Sequence, residues 1–527
     1  MSQRVSKAQR VPEAQNVSKP RKVAIIGGGL TGVVSYWALQ NSCLDVHLFE
    51  ATSSLGGHMK TWLLEGNGRQ ILVDRELPTF NPKACPNMLS LLRHLGVSSS
   101  PAPFSFGVED ETSMFKWQFC ILTSIILDPR MLCKLETYRL ILDAIYLRFI
   151  GPGIDETEIL KSTAEYLSEN GYSDNFRDKY LIPLLSTLWR TNAGRFLRSL
   201  PIGALLYSLS SHQLFSTCGT MPDWLRIDRG VRYFIKALTR DFAPENQHLE
   251  TKVNEIVRCP KSKSHYHLAT SSGEYCHFDH IILAIDGPEI LRLLGSSVTD
   301  KEEDVLQCLG VTRNLAVLHS NLMRTSDNTS PGYNSVMEYR DHRRQDDPPR
   351  SCLESNVNML QDLHPWHFGN VFITINAVSP PRVNHVCEVW EFTEPEPSTE
   401  SLLAQSRLTS IQNTRGLSYG FCWTGRGPLE DSVTSGLRMA VQDLGATVPF
   451  EVVFHPHPLR STNLPHRRSG IRYNLLKTIL EAFHVLLLFL ELMLIQWNRA
   501  HPPGSDIRAS LRLFWPRRTE AAHAHKN

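Results

Sequence analysis

Lys22 to His58 reads KVAIIGGGLTGVVSYWALQNSCLDVHLFEATSSLGGH, and its reading decides the fold. An apolar run, Val23–Ile26, enters Gly27-x-Gly29-x-x-Gly32. A helical pattern follows to about Gln40, and a second apolar run, Asp45–Phe49, ends on Glu50. Strand, glycine turn, helix and strand in this order predict a βαβ unit that binds a dinucleotide. Each glycine answers a separate demand. Gly27 lets the chain turn sharply, Gly29 leaves bare backbone against a pyrophosphate, and Gly32 lets the helix pack close to the sheet. The start of the helix then offers unpaired N–H groups and partial positive charge to the phosphates. Glu50 follows Gly29 by 21 residues, where an acid accepts hydrogen bonds from a ribose. Glycines serving only tight packing would require neither the acid nor the second strand.

After Glu50 the chain continues Ala-x-x-x-Leu55-Gly56-Gly57-His58, which resembles the extension found in flavin amine oxidases. The resemblance implies FAD as cofactor, with Gly56, Gly57 and His58 making a second approach to the pyrophosphate. Other stretches extend it: Phe80-Asn-Pro-Lys-Ala-Cys-Pro-Asn87, Trp224-Leu-Arg-Ile-x-x-Gly230, Asp279-His-Ile-Ile-Leu-Ala284, Asn314-x-Ala-Val-Leu-His319 and Trp423 to Gly436. From about residue 22 to 446 the chain is similar to predicted FAD-binding, amine-oxidase-like proteins of bacteria and fungi. Such a resemblance speaks for fold and cofactor more than for substrate.

The implied fold is α/β: a Rossmann-like FAD-binding domain with a central parallel sheet, interleaved with an α+β substrate domain. The FAD-binding segments are expected at 22–110, 236–290 and 411–446. Substrate-domain segments are expected at 111–235, which is helical, and at 291–410. Within 247–258 the resemblance places the backbone of Val253 against the adenine. In the closing segment, Phe421 to Ala440, it implies a helix beginning near Glu430, capped by Asp431 or Ser432 and aimed at the flavin ring. Glu430 and Ser432 are therefore expected at the cofactor, and Trp423 in the wall of the pocket. Three departures stand out. Glu76 replaces a glycine that the family sets close to the ring, Leu429 replaces a histidine, and Ser432 replaces a glycine.

Periodicity predicts strands at 61–65, 70–74, 105–108, 281–285, 371–377 and 387–392, and a hairpin at 265–277 turning on Gly273. It predicts helices at 88–95, 132–150 and 156–180. Apolar helical patterns at 120–127 and 141–149 suit core packing, or the lining of a lipid entrance. The charge-dense stretch 339–350 reads as a solvated loop.

A chain of 527 residues, 42% hydrophobic and 20% charged, has the composition of a globular enzyme with more than one domain. Its net charge of +2 is unevenly spread. Residues 1–22 carry +5 and residues 456–527 carry +7, so the body between them carries −10. That pattern does not suggest nucleic acid. It suits a basic, solvated tail at 1–21 and a basic C-terminal region, 447–527, on an anionic membrane surface. Eleven scattered cysteines without CxxC pairs suit a reducing compartment, the cytosolic face of a membrane, and predict neither a disulfide framework nor a metal site. The N-terminal tail lacks the apolar core of a secretory signal.

Residues 475–497 form a nearly continuous apolar helix pattern, long enough to span a bilayer but interrupted by Lys477, Glu481, His484 and Glu491. A spanning anchor, an in-plane amphipathic helix and a helix docked on protein are all open at this point. The expected activity is FAD-dependent removal of hydride from a C–H bond of an amine or of a hydrophobic lipid-, terpenoid- or polyketide-like substrate. Two alternatives stay open: a non-catalytic carrier of the GDP-dissociation-inhibitor type, and an NAD(P)-linked reductase. No catalytic residue is singled out.

Overall fold

The computed structural model describes residues 21–500 except 78, 103, 110–113, 119–134, 152–153, 155–156, 192, 215–223, 260–264, 321–331, 339–349, 379–380, 422, 424 and 460–470. The expected basic tail, the apolar pattern at 120–127, the start of the 132–150 helix and the charge-dense loop at 339–349 lie outside the described residues. The chain divides into two discontinuous units. The first comprises residues up to 102, 224–314 and 391–455. The second comprises 103–223, 315–390 and the chain from 456 onward. Segments 224–235, 291–314 and 391–410, expected with the substrate domain, fall in the first unit.

In the first unit, a five-stranded sheet has the order β3-β2-β1-β4-β5, where β1 is Lys22–Ile26, β2 Asp45–Phe49, β3 Gln247–His248, β4 His280–Leu283 and β5 Leu417–Tyr419. Every pairing in it is parallel. Parallel strands need crossovers, which cover both faces, so the strands read as apolar runs. In β1 the pleat sends Val23 and Ile25 into one core with Leu48 and Ile282, and sends Ala24 and Ile26 into another with Phe49, Ile281 and Leu283. Chain order runs outward from β1 to β2 and β3, then resumes on its other side with β4 and β5. The switch point lies between β1 and β4, where this architecture binds its ligands.

Four helices matter for the site: α1 (Leu30–Leu39), α2 (Pro86–Leu95), α3 (Gly230–Leu238) and α4 (Pro428–Arg438). α1 and α4 cross where Gly436 meets α1: a Cβ on Gly436 would lie 2.6 Å from Thr31 O. The start of α4 differs from expectation. Gly427, at φ 100°, is the N-cap without a side-chain bond, and Pro428 is the first helical residue. Proline fits there because the first helical N–H has no intrahelical acceptor. Asp431 and Ser432 lie inside the helix and do not cap it.

The second unit contains most of a seven-stranded mixed sheet and the helices Leu135–Ile150, Thr163–Glu169, Ile182–Trp189 and Ile202–Ser211. The single helix expected at 156–180 is broken. Ser162 and Ser173 each cap a new start, and Gly171, at φ 69°, carries the chain between them. The C-terminal helix, α5, runs Ile471–Ala500 and is long and apolar enough to cross a membrane by length and composition.

Candidate dinucleotide site

The glycine turn is closed by backbone. Gly27 N–H donates to Phe49 O at 3.0 Å, and Ala284 N–H to Ile26 O at 2.9 Å, which ties the turn to the ends of β2 and β4. Gly27 has φ 103°, and a Cβ there would lie 2.5 Å from Ala284 O. A Cβ on Gly32 would run into Gly27 O, so α1 starts as close to the turn as backbone allows. Gly29 differs: it has φ −66°, and a Cβ would meet nothing within 4 Å. The fold itself does not require glycine at this position. Open space over bare backbone at a helix start, with no acid in the first turn of α1, is what a pyrophosphate needs.

Glu50 stands beside the turn with its carboxylate partly engaged. Oε2 accepts from Gly28 N–H at 2.7 Å and Oε1 from Thr52 N–H at 2.8 Å. These bonds aim the side chain and leave each oxygen a lone pair for a ribose hydroxyl. The second glycine pair folds onto the first. Gly56 N–H donates to Gly28 O at 2.8 Å, Gly29 and Gly56 form a parallel bridge, and a Cβ on Gly57 would lie 2.9 Å from the Gly29 Cα. The segment containing Val253 arrives by backbone pairing: Thr251 N–H donates to Glu50 O, and Glu250 N–H to Thr52 O. Val253 is buried and begins the strand Val253–Arg258. Gly27, Gly29, Gly32, Glu50, Gly56, Gly57 and Val253 are thus assembled around one turn. His58 is exposed, its ring 5.8 Å from Phe392.

The closing segment is arranged differently from the expectation. Trp423 is buried, and Gln405 holds both of its backbone polar groups, at 2.8 and 3.0 Å. Ser432 is half-buried in the second turn of α4. The Glu430 side chain is sealed in the core, where it accepts from Asn87 N–H at 3.2 Å and Met88 N–H at 2.9 Å. Its other neighbours are His455 Nε2 at 3.2 Å and the Thr434 hydroxyl. The Glu430 carboxyl therefore serves the start of α2, and the residue itself is fully buried. Its N–H and that of Leu429 belong to the donor end of α4.

Sequence reading missed Asn87, His455 and Asp74. Asn87 donates to Thr434 Oγ1 and Val453 O and accepts from Val453 N–H, so its amide is fully engaged in the core. Asp74 caps α3, with both oxygens 3.2 Å from Val231 N, and burial raises its pKa to about 7. The Asn87 in PNMLSLL and the Asp74 in VDRE carried no such signal, because their partners lie 150 to 370 residues away in the sequence.

Residues 25–95 match the family model of the NAD(P)-binding Rossmann-like domain. A carotenoid phi-ring synthase of Chlorobaculum tepidum is 39% identical over 61 residues, 12% of this chain; the match spans 9% of that relative's length. Among solved structures, cyclohexylamine oxidase of Brevibacterium oxydans IH-35A superposes with a TM-score of 0.53 at 14% identity, covering 80% of this chain and 98% of its own. The CLA-producing fatty acid isomerase of P. acnes gives 0.52 at 14% identity, covering 81% and 99%. At such identities the likeness is one of fold alone: over four fifths of its length the chain shares the fold of these two proteins.

Proposed function

We propose that this chain is an FAD-dependent oxidoreductase acting on a C–H bond of an amine or, more in keeping with its apolar C-terminal helix, of a hydrophobic substrate. The observation that carries the reading is the open space over Gly29, framed by the α1 N-terminus, the Glu50 carboxylate and a second glycine pair folded onto the first. A single-glycine-turn dinucleotide site has no use for the Gly56-Gly57 backing. The residues fit the cofactor: Glu50 orients a ribose, and Gly29 with the first N–H groups of α1 holds the pyrophosphate.

α4 supports the same reading. It touches α1 at Gly436 and runs eight residues back to Pro428, ~12 Å of helix. Its N-terminal end is thereby carried away from the phosphate turn, in keeping with a dinucleotide's length. Positive helix ends favour negative charge that develops beside them. A bound flavin would supply the redox chemistry, accepting a hydride equivalent from substrate and passing the electron pair to an acceptor. The protein binds, orients and shields.

The deciding test is the absorption spectrum of purified protein. A band near ~450 nm, with FAD released on denaturation, is the expected result. Colourless protein that carries lipid would replace this reading with a carrier, and colourless protein that binds NAD(P)H with a nicotinamide reductase.

A further inference from the structure

α5 is two-sided. One stripe packs on the Leu135–Ile150 helix: Leu480 is buried against Leu142 and Ile150, with Tyr473, Leu476 and Leu487 beside it. In this seam His484 Nε2 lies 3.2 Å from Arg139 Nη2 and abuts Gly171. Arg139 also donates to Gly171 O at 2.6 Å and stands 3.4 Å from the Asp143 carboxyl, and both side chains are almost sealed from solvent. His484 thus helps to roof a charged pair that belongs to the body of the unit. Lys477 and Glu481 pair at 3.8 Å alongside the same seam. These polar groups, 477, 481 and 484, follow helical steps of four and three, so they share one side of α5.

The other side is apolar and uncovered. Leu475, Phe483, Val485, Phe489, Leu492 and Met493 are each at least half exposed. Between Tyr473 and Leu490 only Leu480 is buried. A contiguous apolar surface of this kind marks an interaction site.

We propose that α5 lies in the plane of an anionic bilayer, docked on its own protein through the His484–Arg139 seam, with its opposite face sunk into lipid. A crossing helix would carry Lys477, Glu481 and His484 into hydrocarbon and abandon the seam. In-plane docking keeps His484 in its seam, leaves the half-exposed Lys477–Glu481 pair at the edge of the seam, and turns the apolar face to the membrane. Charge selects lipid over a second protein. From residue 456 onward the chain has eleven Lys and Arg against four acids. Basic residues that flank an apolar helix in the sequence complement acidic headgroups. The proposal is independent of the cofactor.

Full-length protein is sedimented with vesicles of phosphatidylcholine alone, or with one quarter phosphatidylglycerol. Binding to the mixed vesicles is expected, weaker by about tenfold without the acidic lipid or at high salt. It should be reversed by an alkaline carbonate wash. The double variant Val485→Glu, Phe489→Glu changes only exposed positions, so its melting temperature should hold while vesicle binding falls by about tenfold or more. Three outcomes overturn the proposal: protein that resists the alkaline wash, which means a span; vesicle binding unchanged in the double variant; or no vesicle binding, with a dimer in solution that the double variant dissolves.

Discussion

Met88 donates its backbone N–H to the Glu430 carboxyl at 2.9 Å, across 342 residues of sequence. Asn87 N–H adds a second bond at 3.2 Å, so one buried carboxyl stands at the N-terminus of α2 while belonging to the first turn of α4. Both helix starts carry partial positive charge, and a carboxyl between them serves both. Because the two helices are fixed at this point, the donor end of α4 is fixed too.

Truncating that link should be costly. Glu430→Ala orphans two N–H groups in the core and is expected to lower stability by about 3 kcal/mol or more. Glu430→Gln keeps one acceptor oxygen and should lose less. Urea unfolding of both variants measures the difference, and equal losses would count against the capping role.

Gly29 and Gly57 separate ligand from fold. Gly29→Ala meets open space at an ordinary φ, so the apo-protein should unfold within roughly 0.5 kcal/mol of wild type. Its affinity for FAD should nevertheless fall by about tenfold or more, because the methyl occupies the place where bare backbone meets the pyrophosphate. Gly57→Ala places a methyl 2.9 Å from the Gly29 Cα and should damage stability and affinity together. Calorimetric titration with FAD, alongside thermal unfolding of apo-protein, distinguishes the two patterns.

Asp74 makes stability fall toward alkaline pH. Burial raises its pKa from 3.8 to about 7, so between those values the native state holds a proton that the unfolded state releases. Stability contributed by the protonated form is complete below pH 3.8 and lost as pH rises through 7. Asp74→Asn removes the titration while keeping an acceptor for Val231 N–H. It should therefore be more stable than wild type at pH 8, by up to roughly 4 kcal/mol, and should lose that advantage near pH 4. Denaturation at the two pH values checks the sign.

His280 acts in the opposite sense. Burial, and then the Arg21 charge, lower its pKa from 6.5 to about 3, and its Nε2 lies 2.9 Å from the Ser418 hydroxyl. Below pH 6.5 the unfolded chain takes up a proton that the native state refuses, so stability is lost as pH falls toward 3. His280→Gln should show a shallower loss between pH 6.5 and 4 in the same unfolding series. An unchanged slope would place the acid sensitivity elsewhere.

The βαβ unit was legible because every part of it is local. The strands Lys22–Ile26 and Asp45–Phe49, the glycine spacing and Glu50 fall within 29 residues, and the structure sets Glu50 Oε2 against Gly28 N–H. The parallel strand at 281–283 and the hairpin at 266–278 were likewise marked by apolar runs and Gly273. The closing segment was harder. The resemblance implies a cap at Asp431 or Ser432, whereas Gly427 caps α4 and Pro428 opens it. Glu430, expected at the cofactor, turned its side chain inward because the acceptors required by α2 lie nowhere near α2 in sequence.

Sequence alone therefore determined a glycine turn with its acidic partner at 27–50 and an apolar helical pattern at 475–497 between basic segments. Periodicity and residue spacing encode such short-range facts directly. Tertiary structure decided which face of α5 stays apolar and exposed, which carboxyls are spent on helix starts, and that Gly29 alone of the three turn glycines looks onto open space. Those outcomes depend on which distant groups fill the surrounding volume, and no local pattern carries that information.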